Sequence, residues 1–176
     1  MARVINVHER ELRATPEQVG ALIDSLASSK DALWPNRSWP RMKFDRPLGV
    51  GANGGHGPIG YFVEQYAPGR SIQFRFTNPK GFDGVHRYEL IGKAGRSTVL
   101  RHTIDMTTHG PALLTWALVF RPLHDALLED SLATAETSLG QVPQRLERWS
   151  PWVKLLRWIL TKGTAGPQML PANRLR

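Results

Sequence analysis

At 176 residues, with 41% hydrophobic and 22% charged side chains, the chain has the size and balance of one globular domain, which excludes a disordered polymer. It contains no cysteine, so disulfides, thiolate nucleophiles and thiolate-held metals are excluded. The net charge of +8 is lopsided: residues 1–140 carry 16 Lys and Arg against 14 Asp and Glu, whereas residues 141–176 carry 7 against 1, and a near-neutral body argues against nucleic acid as its partner.

The chain opens with a predicted strand over Arg3 to Arg13, where Val4, Val7 and Leu12 alternate loosely with polar residues. Thr15, Pro16 and Gln18 form a helix start of capping-box type, predicting a short helix over Pro16 to Ser28. No apolar run of signal-peptide or membrane-span length occurs, which leads to the expectation of a cytoplasmic protein whose membrane contact, where it has any, is peripheral. From Asp31 to Gly60 the chain is rich in Pro, Gly and Trp and turn-dense, which reads either as a functional loop or lid or as turns holding one or two short strands such as Arg41 to Asp45.

Clearer strands follow. Tyr61 to Tyr66 runs into the turn Ala67-Pro68-Gly69-Arg70. Ser71 to Thr77 then sets Ile72, Phe74 and Phe76 on one face, Val85 to Ile91 sets His86, Tyr88 and Leu90, and Ser97 to Thr107 sets Leu100, His102, Ile104 and Met106. A meander with one apolar face needs a cover. The helical spacing from Gly110 to Leu139 supplies it, with a kink expected at Pro122 and a stop at Gly140. A second, basic helix is expected over Val142 to Leu160, followed by a frayed tail from Gly163.

This order of elements resembles the helix-grip fold of the START-like (SRPBCC) superfamily. The local cues resemble its bacterial polyketide cyclase/dehydrase-like branch: Val63-Glu64-Gln65-Tyr66-Ala67-Pro68-Gly69-Arg70, then Ile72 to Phe76, Gly84 to Leu90, Thr98 to His102 and Arg121 to Asp130. The resemblance covers about residues 3 to 139. It implies an α+β fold, a curved antiparallel sheet wrapped around a long C-terminal helix, with a hydrophobic ligand cavity between them. The chain then divides into a helix-grip domain at 1–140 and a basic, Trp-rich helical extension at 141–176.

His86 and His102 fall on the apolar faces of neighbouring strands. An imidazole there either orients a ligand carbonyl and acts as general base, or is a hydrogen-bonded core residue. Tyr88 joins them in the catalytic reading. His56 lies among glycines, at a pocket mouth or in a solvated turn. Phe74, Phe76, Trp116 and Phe120 supply aromatic area to line a pocket, with Trp34 and Trp39 as its loop-borne lid. His124, Asp125, Glu129 and Asp130 cluster on the long helix, but Leu128 stands where a second ligand four residues after His124 would be. A polar patch is therefore expected and no metal, with Arg121 neutralising Asp125. No phosphate loop, dinucleotide fingerprint or nucleophile elbow occurs, and no cofactor is expected.

Three functions follow: a binding or transport protein for a lipid, polyketide or similar molecule, a cyclase/dehydrase-like enzyme, and a membrane-surface or protein-interaction module. The last would act through residues 141–162, where Trp and Lys or Arg mix as they do in interfacial helices and oligomer contacts.

Overall fold

The computed structural model describes residues 1–92, 97–144 and 148–161. Seven strands, β1 (Ala2–Leu12), β2 (Lys43–Phe44), β3 (Asn53–His56), β4 (Ile59–Ala67), β5 (Ser71–Asn78), β6 (Phe82–Gly92) and β7 (Thr98–Thr108), form one antiparallel sheet in the order β1-β7-β6-β5-β4-β3-β2. β2 to β7 run as a meander. β1 then pairs with β7 from Ala2↔Thr108 to Leu12↔Thr98, so the first and last strands in sequence lie side by side at one edge of the sheet. Irregularities in β4 at Gly60/Tyr61 and Val63/Gln65 add local twist and bend the sheet.

Period-two alternation puts Ile72, Phe74, His86, Tyr88, Leu100, His102, Ile104 and Met106 on the buried face, as their spacing predicts. In β1 the inner set is Val4, Asn6, His8, Arg10 and Leu12. Val7, taken with Val4 and Leu12 in the sequence reading, has the wrong parity and is 47% exposed. β3 lies in the glycine-rich part of the turn-dense stretch. Its Gly54 passes so close to β2 that a Cβ there would sit 1.9 Å from the Lys43 carbonyl oxygen, so the sequence signal of a turn is here the condition for a strand pairing.

Helix α1 (Pro16–Asp24) carries the predicted capping box: Gln18 N–H donates to Thr15 Oγ1, and Thr15 N–H to Gln18 Oε1 at 3.0 Å. It ends before the expected Ser28. The Asp31 carboxylate accepts the backbone N–H groups of Ala27, Leu33 and Trp34 at 2.8, 3.0 and 2.8 Å, a local capture that competes with helix continuation.

The long helix is built from α2 (Ala112–Thr115), a π-helical turn (Trp116–Phe120) and α3 (Arg121–Ser138). The kink expected at Pro122 takes the form of this wider turn. In a regular helix residue 122 would donate to the Leu118 carbonyl, and proline has no N–H to give. Trp152 supplies the missing donor, its indole Nε1 lying 2.8 Å from that oxygen. At the other end Gln141 N–H donates to Glu136 O and Gly140 N–H to Thr137 O, with Gly140 at φ 73°, the glycine-terminated cap that the sequence predicts.

The last helix, α4, spans Pro151–Thr161 only. The expected helix from Val142 is thus too long: described residues up to 150 are not helical. Ser150 accepts the Val153 N–H at 3.2 Å and Pro151 sits in the first turn, so the helix starts at a Ser-Pro signal rather than at the first apolar residue. Val153 and Leu156 are buried in the same core as β4, β5 and α3. Among the described residues no helix is long and apolar enough to cross a membrane. The tail from Gly163 lies outside the described residues.

Candidate functional site: a row of buried imidazoles

Strand register brings the chemistry together. His8 of β1 lies opposite His102 of β7, and His102 lies opposite Tyr88 of β6. From the β3 side the row begins at His56, whose ring lies 4.7 Å from Trp34 and whose Nδ1 is hydrogen-bonded to the Tyr61 hydroxyl at 2.9 Å. Tyr61 meets His86 edge-on, with ring centroids 4.8 Å apart. His86 Nδ1 is 3.3 Å from His102 Nε2, and the His102 and His124 rings are 5.1 Å apart. His124 then faces His8 at 5.7 Å. Five of the six histidines of the chain thus stand in one line between the sheet and the long helix.

The two ends of the row differ in electrostatics. Burial, followed by the charge of His124 further along the row, pushes His56 down to about 3. Burial likewise holds His86 and His102 well below the ordinary histidine range, so these imidazoles are neutral at neutral pH. Tyr61 and Tyr88 are pushed up by burial and remain protonated. Tyr88 also bonds Ser131 Oγ at 3.0 Å, and the Ser131 hydroxyl donates to the Leu33 carbonyl at 3.0 Å. His86 Nε2, His102 Nδ1 and both ring nitrogens of His124 are buried with no hydrogen-bond partner among the described residues.

At the other end the sign reverses. Burial works against the His8 charge, yet hydrogen bonds and charges from Asp125 and Glu129 outweigh it and raise His8. His8 Nδ1 lies 2.9 Å from Glu129 Oε1 and Nε2 lies 3.1 Å from Asp125 Oδ1. Asn6 donates to the same Asp125 oxygen at 2.9 Å. Arg10, only 6% exposed, bridges Glu129 at 2.7 Å and Glu136 at 3.0 Å. Asp125 is pulled below the carboxylate range: burial opposes this, and the nearby His124 ring together with hydrogen bonds from His8 and Asn6 overrides it. Arg121 reaches Asp125 at 3.7 Å from the solvent side, as its spacing predicts.

The other predicted site residues divide. Phe74 and Phe76 flank His86, each with its ring 4.8 Å away and nearly parallel. Phe76, Phe82, Trp116 and Phe120 form an aromatic group that adjoins the row at His86 and His124. Trp34 packs on His56, its indole bonded to the Pro40 carbonyl at 2.9 Å. Trp39 is instead bound under α4: the Arg157 guanidinium lies over both Trp39 and Trp149, and both indoles donate to Asp130 Oδ2 at 2.7 and 3.0 Å. His56 also lines a surface cavity of about 670 Å³ with Arg41, Lys43, Pro58 and Asn78. A second cavity, of about 340 Å³, opens beside Asp31, Trp34, Arg37 and Asp130.

The sequence reading missed Tyr61 and the β1 trio Asn6, His8 and Arg10. The signal for the trio was there in their common parity, i, i+2, i+4 with Val4 and Leu12. Spacing within the long helix could not bring in His8, since it lies 117 residues from Asp125 in the chain.

No family model matches the sequence, and no curated protein matches it. Solved structures do resemble it. CalU16 from Micromonospora echinospora is 15% identical, with a TM-score of 0.56 over 92% of this chain and 94% of that one. A norcoclaurine synthase point mutant from Thalictrum flavum, in complex with a transition-state analogue, is 13% identical, with a TM-score of 0.59 over 79% and 96%. Ara h 8.0201 is 11% identical, with a TM-score of 0.55 over 80% and 100%. Identities this low speak to architecture alone, and on that evidence the chain has the helix-grip fold, a curved antiparallel sheet closed by a long C-terminal helix.

Proposed function

We propose that the protein binds a small hydrophobic molecule bearing one polar group, seated between the sheet and the long helix with that group on His86, His102 and His124. The observation that carries this reading is the set of four buried imidazole nitrogens without a partner. Each costs about 1–3 kcal/mol when left unpaired, a cost that an apolar residue of similar shape would avoid. Phe74, Phe76 and Tyr88 supply rings around the apolar body. The fold supports this reading too, since helix-grip neighbours include a norcoclaurine synthase holding a transition-state analogue. Membership of the START-like superfamily fits the fold, and the polyketide cyclase/dehydrase-like branch rests on the motif resemblance.

Native mass spectrometry of protein purified from its own host, followed by denaturing analysis of small molecules, tests the binding. The expected result is a stoichiometric apolar compound whose retention falls about 5–10-fold in His86→Phe and His102→Phe, the loss of roughly one hydrogen bond each. Wild-type protein that carries no compound, and whose stability does not respond to a host lipid extract, overturns the reading.

A catalytic version is favoured by one contact, the 3.3 Å bond between His86 and His102. It joins two neutral imidazoles, one able to take a proton from an acidic carbon while the other orients a carbonyl. A second reading concerns the exterior. Trp152, Leu155, Ile159 and Leu160 of α4 are exposed, as are Leu114 and Leu118, and the bond from Trp152 to Leu118 O makes them one surface. With Lys154 beside it, this patch fits the interface of an anionic membrane.

A further inference from the structure

We infer that His8, His124 and Asp125 form a binding site for a first-row divalent transition-metal ion. One imidazole nitrogen from each histidine and a carboxylate oxygen lie within 4.8 Å of one another. His8 Nε2 is 3.1 Å and His124 Nδ1 3.8 Å from Asp125 Oδ1. Ligands held about 2.1 Å from a tetrahedral ion stand roughly 3.4 Å apart, so the two separations bracket what the ion requires. Two nitrogens and one carboxylate suit zinc or iron(II) and not the all-oxygen shells of calcium or magnesium.

The surroundings are those of a ligand set. A metal-bound imidazole gives its other N–H to an acceptor that fixes its orientation. His8 does so, with Nδ1 on Glu129 at 2.9 Å. Glu129 is in turn held by Arg10, and Arg10 by Glu136, which is 1% exposed. Asn6 fixes Asp125 Oδ1 at 2.9 Å. Charge points the same way: the buried Arg10 guanidinium is shared by two carboxylates, Glu129 and Glu136, whereas among the described residues Asp125 has as its guanidinium only the exposed Arg121 at 3.7 Å.

The competing account is a charged His8 bridging Asp125 and Glu129, with no ion. It satisfies His8 but does nothing for His124. Both His124 nitrogens are buried without a hydrogen-bond partner, and Asp125 at 3.8 Å is too far to be one. An ion between His8, His124 and Asp125 gives one of these two nitrogens a partner and leaves the other for the ligand.

The test uses the untagged full chain, stripped with a chelator and titrated with Co²⁺ and then Zn²⁺. Visible absorption and elemental analysis after dialysis are the readouts. One equivalent of Co²⁺ with d–d bands that Zn²⁺ abolishes is the expected result. Glu129→Gln should weaken binding about 10–100-fold, and Asp125→Asn and His124→Gln should weaken it further. His86→Phe should leave it intact, which separates this site from the ligand contact proposed at His86. Circular dichroism of each variant establishes that it is folded, and the near-isosteric Asp125→Asn serves where His124→Gln is not. Substoichiometric uptake at micromolar ion, or uptake unchanged in folded Asp125→Asn, overturns the assignment.

Discussion

A buried base leaves a signature in the pH dependence of stability. His56 is pressed against Trp34 and Tyr61, and His86 against Tyr61, Phe74, Phe76 and His102. Both are lowered from 6.5, His56 to about 3 and His86 well below the ordinary value, chiefly by burial. Between the folded and unfolded values the unfolded chain takes up a proton that the native imidazole refuses. Stability is therefore full above about pH 6.5 and falls as the pH drops, by about 1.4 kcal/mol per pH unit for each group. Urea unfolding between pH 7.5 and 5 should show this slope, reduced by about one proton in His86→Phe. An unchanged slope in that variant would mean that His86 is protonated in the native state. At this scale the sequence was informative where alternation carries an apolar label: His86, Tyr88, His102 and Phe74 face inward as their strands predict. Asn6, His8 and Arg10 were hidden because a polar residue on an alternating strand normally faces water, and only the carboxylates of α3 explain why these three do not.

At the scale of elements, the long helix and α4 share one carbonyl in addition to their common core. Pro122 withholds a donor from Leu118 O, and the Trp152 indole takes its place. Trp152→Phe should cost about 1 kcal/mol and speed hydrogen exchange in α4. In a Pro122→Ala background, where residue 122 can donate to the helix itself, the same change should cost measurably less. A double-mutant cycle on denaturation free energies reads the difference directly, and strict additivity would show that the two residues act separately. Pro122 marked the bend in the sequence, but the π-helical form of that bend depends on packing between Trp116, Phe120 and the sheet. The start of α4 was obscured for another reason: Val142 fits a helical apolar spacing, although it is almost fully exposed and precedes the Ser150-Pro151 start.

At the scale of the whole molecule, the membrane reading proposed above is open to a direct test. The surface made by Leu114, Leu118, Trp152 and Ile159 should bring the protein down with vesicles containing phosphatidylserine and leave it in solution with neutral ones. Binding should weaken as salt rises. Trp152→Ala combined with Lys154→Glu should abolish co-sedimentation, and equal sedimentation with both vesicle types would remove the electrostatic part of this reading. The architecture was legible because a meander with one apolar face and one long amphipathic segment has few ways to close. What fills the space between them was not, since parity says which residues point inward and nothing of which rings come to touch.

The order in which the fold can be completed follows from where its ends are tied. β1 has β7 as its one partner in the sheet, and Trp39 is clasped by Arg157 and shares Asp130 with Trp149. On a ribosome, the first strand therefore waits for about a hundred further residues, and the loop around Trp39 waits until α4 has left the exit tunnel. The hairpins β4 to β7 can pair as they emerge, while the row of imidazoles comes together once the long helix that carries His124 has followed them, ahead of α4.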